Sequence, residues 1–116
     1  MGRPLTPKEV ALIVRIVQEY DPSLASLVRM QAESATTDYP GFDSLLDIEP
    51  SAAAPRIDTI PDGPFESVNT SVDTNGESIG LLLLWFDNGY VTGLEYGWYT
   101  DEMPTEWPEL DQLSFR

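Results

Sequence analysis

Two Asn-Gly dipeptides, Asn75-Gly76 and Asn88-Gly89, constrain the fold of this chain more than any other feature. Both central positions of a type I′ turn need positive φ, which Asn-Gly supplies, so each dipeptide between apolar runs marks a β-hairpin. Together they frame three antiparallel strands over about 65–74, 77–87 and 90–99. With two-residue loops the register follows by counting, with Thr74 opposite Glu77 and Asp87 opposite Tyr90. The rows Val72-Ile79-Trp98, Thr70-Leu81-Tyr96 and Val68-Leu83-Leu94 then make one broad apolar face that needs a cover. The other face holds Ser71-Gly80-Gly97, Asn69-Leu82-Glu95, Ser67-Leu84-Gly93 and Phe65-Phe86-Val91. Glycine inside a strand marks a bulge or a close approach. The cluster of Gly80, Gly93 and Gly97 therefore predicts a bare platform on which Glu95 stands. Because the middle strand is apolar on both sides, this second face is expected to be partly covered.

The cover is written at the N-terminus. Thr6-Pro7-Lys8-Glu9 is a capping box with Pro at the first helical position, and Leu5 and Val10 occupy the hydrophobic-staple positions. Val10, Ile13, Val14, Val17 and Tyr20 recur at helical spacing. Asp21-Pro22 ends this helix and opens a second, whose narrower stripe is Leu24, Leu27, Val28, Gln31 and Ala35. The first apolar stretch carries Arg15 and Glu19, so it reads as an amphipathic helix and not as a signal-peptide core. A cytoplasmic location is the expectation.

The organisation expected is a single α+β domain: a helical hairpin over 1–35, a linker over 36–64, an antiparallel meander of three to four strands over 65–99, and an acidic tail over 100–116. Within the linker, Phe42, Leu45, Leu46 and Ile48 suit a short helical turn or a buried loop, and Arg56 to Ile60 suits a short strand. In the tail, Pro104 and Pro108 break regular structure, while Trp107, Leu110, Leu113 and Phe115 provide anchors for wrapping the domain or a partner.

The chain has no His and no Cys, which removes the Ser-His-Asp triad, the cysteine nucleophile, the zinc finger and the iron–sulfur cluster. Its 20 acids against 6 bases give a net charge of −14. That balance opposes direct binding of nucleic acid or of an anionic membrane and favours a basic partner. The distribution is lopsided. Residues 57–115 hold twelve acids and no Lys or Arg, whereas residues 1–56 hold eight acids and five bases. A solvated acidic surface explains such a bias as readily as a binding face does. The absence of any base across residues 57–115 tilts the reading towards an acidic face for a cationic partner.

Other chemistries are weaker. Glu95 with Glu66, Asp101 or Glu102 are the carboxylate pairs worth naming for glycosidase chemistry, but a meander implies no substrate cleft. Asp73-Thr74-Asn75-Gly76-Glu77 resembles a calcium loop only superficially and lacks its ligand spacing. No cofactor or metal is implied. Among the aromatics, Tyr96 and Trp98 suit a packed core, whereas Tyr99 and Trp107, beside the acids, suit interface anchors.

The segment Asn88-Gly89-Tyr90-Val91-Thr92-Gly93-Leu94-Glu95-Tyr96-Gly97-Trp98-Tyr99-Thr100-Asp101, followed by Pro104 and preceded by Leu82-Leu83-Leu84-Trp85, resembles the C-terminal signature of small, acidic, uncharacterised bacterial proteins, mainly actinobacterial. Some similar proteins are encoded beside polymorphic toxins and are regarded as immunity proteins. The resemblance spans the C-terminal third of the chain and carries no catalytic residue. It implies an inhibitor, not an enzyme, that blocks a basic toxin or nuclease. Glu95, Tyr99, Asp101, Glu102, Glu106 and Trp107 are the expected contact residues. The alternative expectation is a structural or oligomerisation module, a homodimer through the glycine-bearing face.

Overall fold

The computed structural model describes residues 2–65, 69–73 and 75–115. Helix α1 spans Pro7–Tyr20 and starts as its capping box dictates, with the Thr6 side chain accepting from Glu9 N and the Glu9 carboxylate accepting from Thr6 N. Its apolar stripe (Val10, Leu12, Ile13, Val14, Ile16 and Val17) is buried. Asp21 then caps a 3₁₀ turn over Pro22–Leu24, and α2 follows as Ala25–Ser34. A short ribbon pairs β1, Arg3–Pro4, with β2, Thr36–Thr37.

The sheet is larger than a meander. It contains six described strands: β3 (Leu45–Asp47), β4 (Gly63–Pro64), β5 (Asn69–Val72), β6 (Ser78–Asp87), β7 (Tyr90–Trp98) and β8 (Leu113–Phe115). Their order is β3-β7-β6-β5-β8, with β4 on β6 beside its Phe86 end. Two segments expected to be irregular thus become edge strands. Leu45–Asp47, taken for a helical turn or loop, pairs with Gly93–Glu95. Part of the tail, Leu113–Phe115, closes on Asn69–Ser71. Arg56 to Ile60, expected as a strand, pairs with no strand; Ile57 N donates to Gly89 O, and Ile57 and Ile60 are buried as loop anchors.

The two Asn-Gly turns differ. Asn88 and Gly89 have φ of 52° and 81°, a type I′ pair that holds Asp87 opposite Tyr90 as counted. At the first turn Gly76 has positive φ but Asn75 does not, Asp73 N donates to Glu77 O, and Val72 lies opposite Ser78. The loop there is three residues long, because the Asp73 carboxylate accepts from both Asn75 N and Glu77 N and stabilises a wider turn. Thr74, expected opposite Glu77, lies outside the described residues, as do Glu66, Ser67 and Val68.

A bulge sets which side chains go inward. Phe86 pairs with Val91, but Trp85 pairs with Gly93, so Thr92 is extra and the register slips by one. Leu84 therefore faces Leu94, and Leu82 faces Tyr96. The buried face is Leu82, Leu84 and Phe86 with Val91, Leu94, Tyr96, Leu46 and Ile48, joined to the helices in one core. This corrects the expected rows: Leu81 and Leu83 lie on the outer face, and Leu82 and Leu84 line the core. The three glycines also separate. Gly80 is on the buried face, where a Cβ would meet the Tyr96 ring, whereas Gly93 and Gly97 are on the outer face with Glu95.

Polar groups stitch the layers. Buried Gln31 on α2 donates to Pro55 O and Gly89 O at 2.8 Å and accepts from Val91 N at 3.0 Å. Asn69 replaces a backbone pair, donating to Leu82 O and accepting from Leu82 N through its side chain.

Candidate functional site

The β5–β6 and β6–β7 registers bring the start of β6, the turn over 73–77 and the segment after Trp98 to one end of the sheet. Tyr99 N donates to Ile79 O, extending the β6–β7 pairing one step beyond β7. The chain then turns away, with Thr100 Oγ1 donating to Glu102 O. This departure leaves three large apolar side chains in water within six residues: Trp98 at 38% exposure, Tyr99 at 62% and Met103 at 50%. An open groove of about 650 Å³ runs between Ile79 and Trp98 on one side and Asp101, Glu102, Met103 and Pro104 on the other. Asp101, Glu102 and Glu106 are all exposed.

The electrostatics at this end are uncompensated. Each of the five described cations is already engaged, in the pairs Arg3–Glu9, Lys8–Glu109, Arg15–Glu19, Arg29–Glu33 and Arg56–Asp58. Of the described acids in residues 57–115, only Asp58 and Glu109 take part. Asp73, Glu77, Asp101, Glu102 and Glu106 have no ion-pair partner among the described residues. The groove thus offers apolar contact area inside a negative field, a combination that suits a cationic protein surface. Among the described residues no group of three or more acidic side chains lies close enough to hold a metal ion. No described helix is long and apolar enough to cross a membrane.

The expected contact residues divide. Tyr99, Asp101, Glu102 and Glu106 share the exposed segment. Trp107 does not: it is 5% exposed, stacks on Tyr96 with ring centroids 6.3 Å apart, and meets Phe42 edge-on at 4.9 Å. Its Nε1 donates to Glu9 Oε2, so Trp107 anchors the tail to α1 from inside the molecule. Glu95 stands apart on the outer face, half-buried, accepting from Trp85 Nε1 at 3.1 Å. Its glycine platform is not bare, since the Trp85 side chain lies against Gly93 and Leu81 approaches Gly97.

The buried end of the Trp107 contact is a charged cluster. Arg3 grips Glu9 through two parallel bonds of 3.0 and 3.1 Å. Burial alone pushes the Glu9 carboxyl up, but the Arg3 hydrogen bond, the Thr6 amide, the Arg3 charge and the Trp107 indole outweigh it and hold the group below the usual glutamate range.

Trp98 was expected in a packed core, and no role was expected of Met103. The available signal was positional: Trp98 is the last strand residue, and Met103 sits between Asp101-Glu102 and Pro104, where no regular element can bury it. Comparison with protein-family models, with curated proteins and with solved structures found no match.

Proposed function

We propose that this chain is a protein-binding inhibitor of the immunity type, neutralising a basic toxin or nuclease by covering its cationic site with the acidic end of the sheet. One observation carries the reading: Trp98, Tyr99 and Met103 are exposed beside Asp101 and Glu102, in a stretch, residues 57–115, without Lys or Arg. Exposed aromatics of this kind serve as anchors, because they bury much area for few rotatable bonds. The surrounding carboxylates raise the encounter rate with a positive surface and select against acidic competitors. Inhibition is by occlusion and uses no catalytic group.

The test is association with the basic protein encoded beside this chain, measured over roughly 0.05 to 0.5 M salt, where the Debye length falls to a few ångströms. The association rate is expected to drop steeply with salt, and Asp101→Lys with Glu102→Lys to slow it further. Tyr99→Ala and Met103→Ala are expected to speed dissociation. An association rate indifferent to ionic strength would overturn the reading.

A further inference from the structure

The outer face of the sheet carries a feature that the groove does not use. The Thr92 bulge places Gly93 opposite Trp85 and Glu95 opposite Leu83. Without a Cβ at Gly93 the Trp85 side chain can settle there; an added Cβ would stand 3.3 Å from Trp85 Cβ and Cδ1. The indole Nε1 then holds Glu95 Oε1 at 3.1 Å, and this is the one hydrogen bond the Glu95 side chain makes among the described residues. The other carboxylate oxygen has no partner among the described residues. Leu45, Leu81 and Leu83 surround the pair, and neither they nor Trp85 belong to the core or to the side chains packed against it.

A fixed carboxylate at the edge of an indole, among apolar neighbours, matches the chemistry of a guanidinium. That planar cation stacks on an aromatic face while its N–H groups reach a carboxylate, and it tolerates apolar surroundings better than an ammonium does. Charge decides what occupant this face takes. A second copy would bring another net charge of −14, and its five described cations are all paired within their own chain. A cationic segment of a different protein brings the missing charge.

We propose that Trp85 and Glu95 form an arginine seat on the outer sheet face, on which a basic partner protein is held. The proposal rests on the reading of the partner as basic but not on the groove at the sheet end. The test is an NMR titration of the full ¹⁵N-labelled chain with N-acetyl-arginine amide, following the three indole N–H signals of Trp85, Trp98 and Trp107, assigned with Trp→Phe variants. A saturable shift of the Trp85 signal is expected, about tenfold weaker with the lysine amide and at least tenfold weaker in Glu95→Gln. Unchanged Trp98 and Trp107 signals in Glu95→Gln establish that this variant is folded. The seat is overturned if Trp85 does not respond, if Glu95→Gln binds equally well, or if lysine and arginine act alike. It is also overturned if Trp98 alone responds, which leaves the acidic groove intact as the cation site, or if sedimentation shows a dimer that buries Trp85. A Trp85 response with a salt-indifferent partner would instead remove the inhibitor reading and leave the seat.

Discussion

The indole Nε1 of Trp107 donates to the buried Glu9 Oε2 over 3.2 Å, linking residues 98 positions apart in sequence. The link fixes the tail to the first helix and leaves the acidic segment before it facing water. Trp107→Phe keeps the stacking on Tyr96 but removes a hydrogen bond to a charged acceptor, a loss of about 1–3 kcal/mol. Urea unfolding is expected to show this as a lower midpoint with an unchanged slope. Because Trp107 is internal, partner dissociation from the folded variant should change little.

Glu9 also makes stability depend on pH in a definite direction. Its folded pKa lies below the unfolded value of about 4.3. The carboxylate therefore contributes stability that is present above the unfolded value and is lost as pH falls through the folded one. The thermal midpoint of the wild type should fall more steeply on acidification below about pH 4 than that of Glu9→Gln, which has no proton to take up. Parallel curves would mean that the Arg3–Glu9 pair does not couple to folding.

Gln31 satisfies one buried amide and two carbonyls on two different loops. Gln31→Leu preserves volume and strands Val91 N and Pro55 O, and is expected to cost about 2–4 kcal/mol. Hydrogen exchange should localise the effect to the Asn88-Gly89 turn before global unfolding sets in.

The two turn glycines should respond unequally. Gly76 and Gly89 share a φ of 81°, where a side chain costs about 1–2 kcal/mol. At Gly76 an added Cβ meets nothing within 4 Å, whereas at Gly89 it would meet Ile57 O at 2.9 Å and Arg56 Cγ at 3.0 Å. Gly89→Ala is therefore expected to lower the denaturation midpoint by clearly more than Gly76→Ala.

Deletion of Thr92 tests the bulge directly. Removing the extra residue with the type I′ turn intact would leave Gly93 opposite Trp85, Leu94 opposite Leu84 and Tyr96 opposite Leu82 in an unbroken ladder, so Leu94 and Tyr96 would stay in the core. The deletion variant should therefore fold cooperatively with native near-UV dichroism, as should Thr92→Val. A deletion variant that fails to fold would show that the local twist of the bulge, and not the register alone, is needed to seat β7 on the core.

How legible the site was follows from the same bulge. The exposed acids and Tyr99 were readable, because a charged run after a strand and between prolines has nowhere dry to go. Trp107 was misread: a Trp in an acidic tail looks like an anchor for a partner until Glu9 and Tyr96 are known to lie beneath it. The seat at Trp85 was invisible, since uninterrupted counting puts Trp85 beside Thr92 and not beside Gly93.

The sequence by itself determined the local structure: the capping box and stripe of α1, the Asp21-Pro22 break, the type I′ turn at Asn88-Gly89 and the lack of Lys and Arg across residues 57–115. Each rests on contacts between near neighbours, which the residue types dictate directly. Tertiary structure alone decided which face of β6 is buried. Leu81, Leu83 and Trp85 compete with Leu82, Leu84 and Phe86 on nearly equal apolar terms. The choice falls to β7, whose inward residues Val91, Leu94 and Tyr96 break the two-residue period and require a bulge before they can share one core with the helices. Edge strands β3 and β8 were decided in the same way, since three residues have no strand character until a finished sheet offers them its open hydrogen bonds.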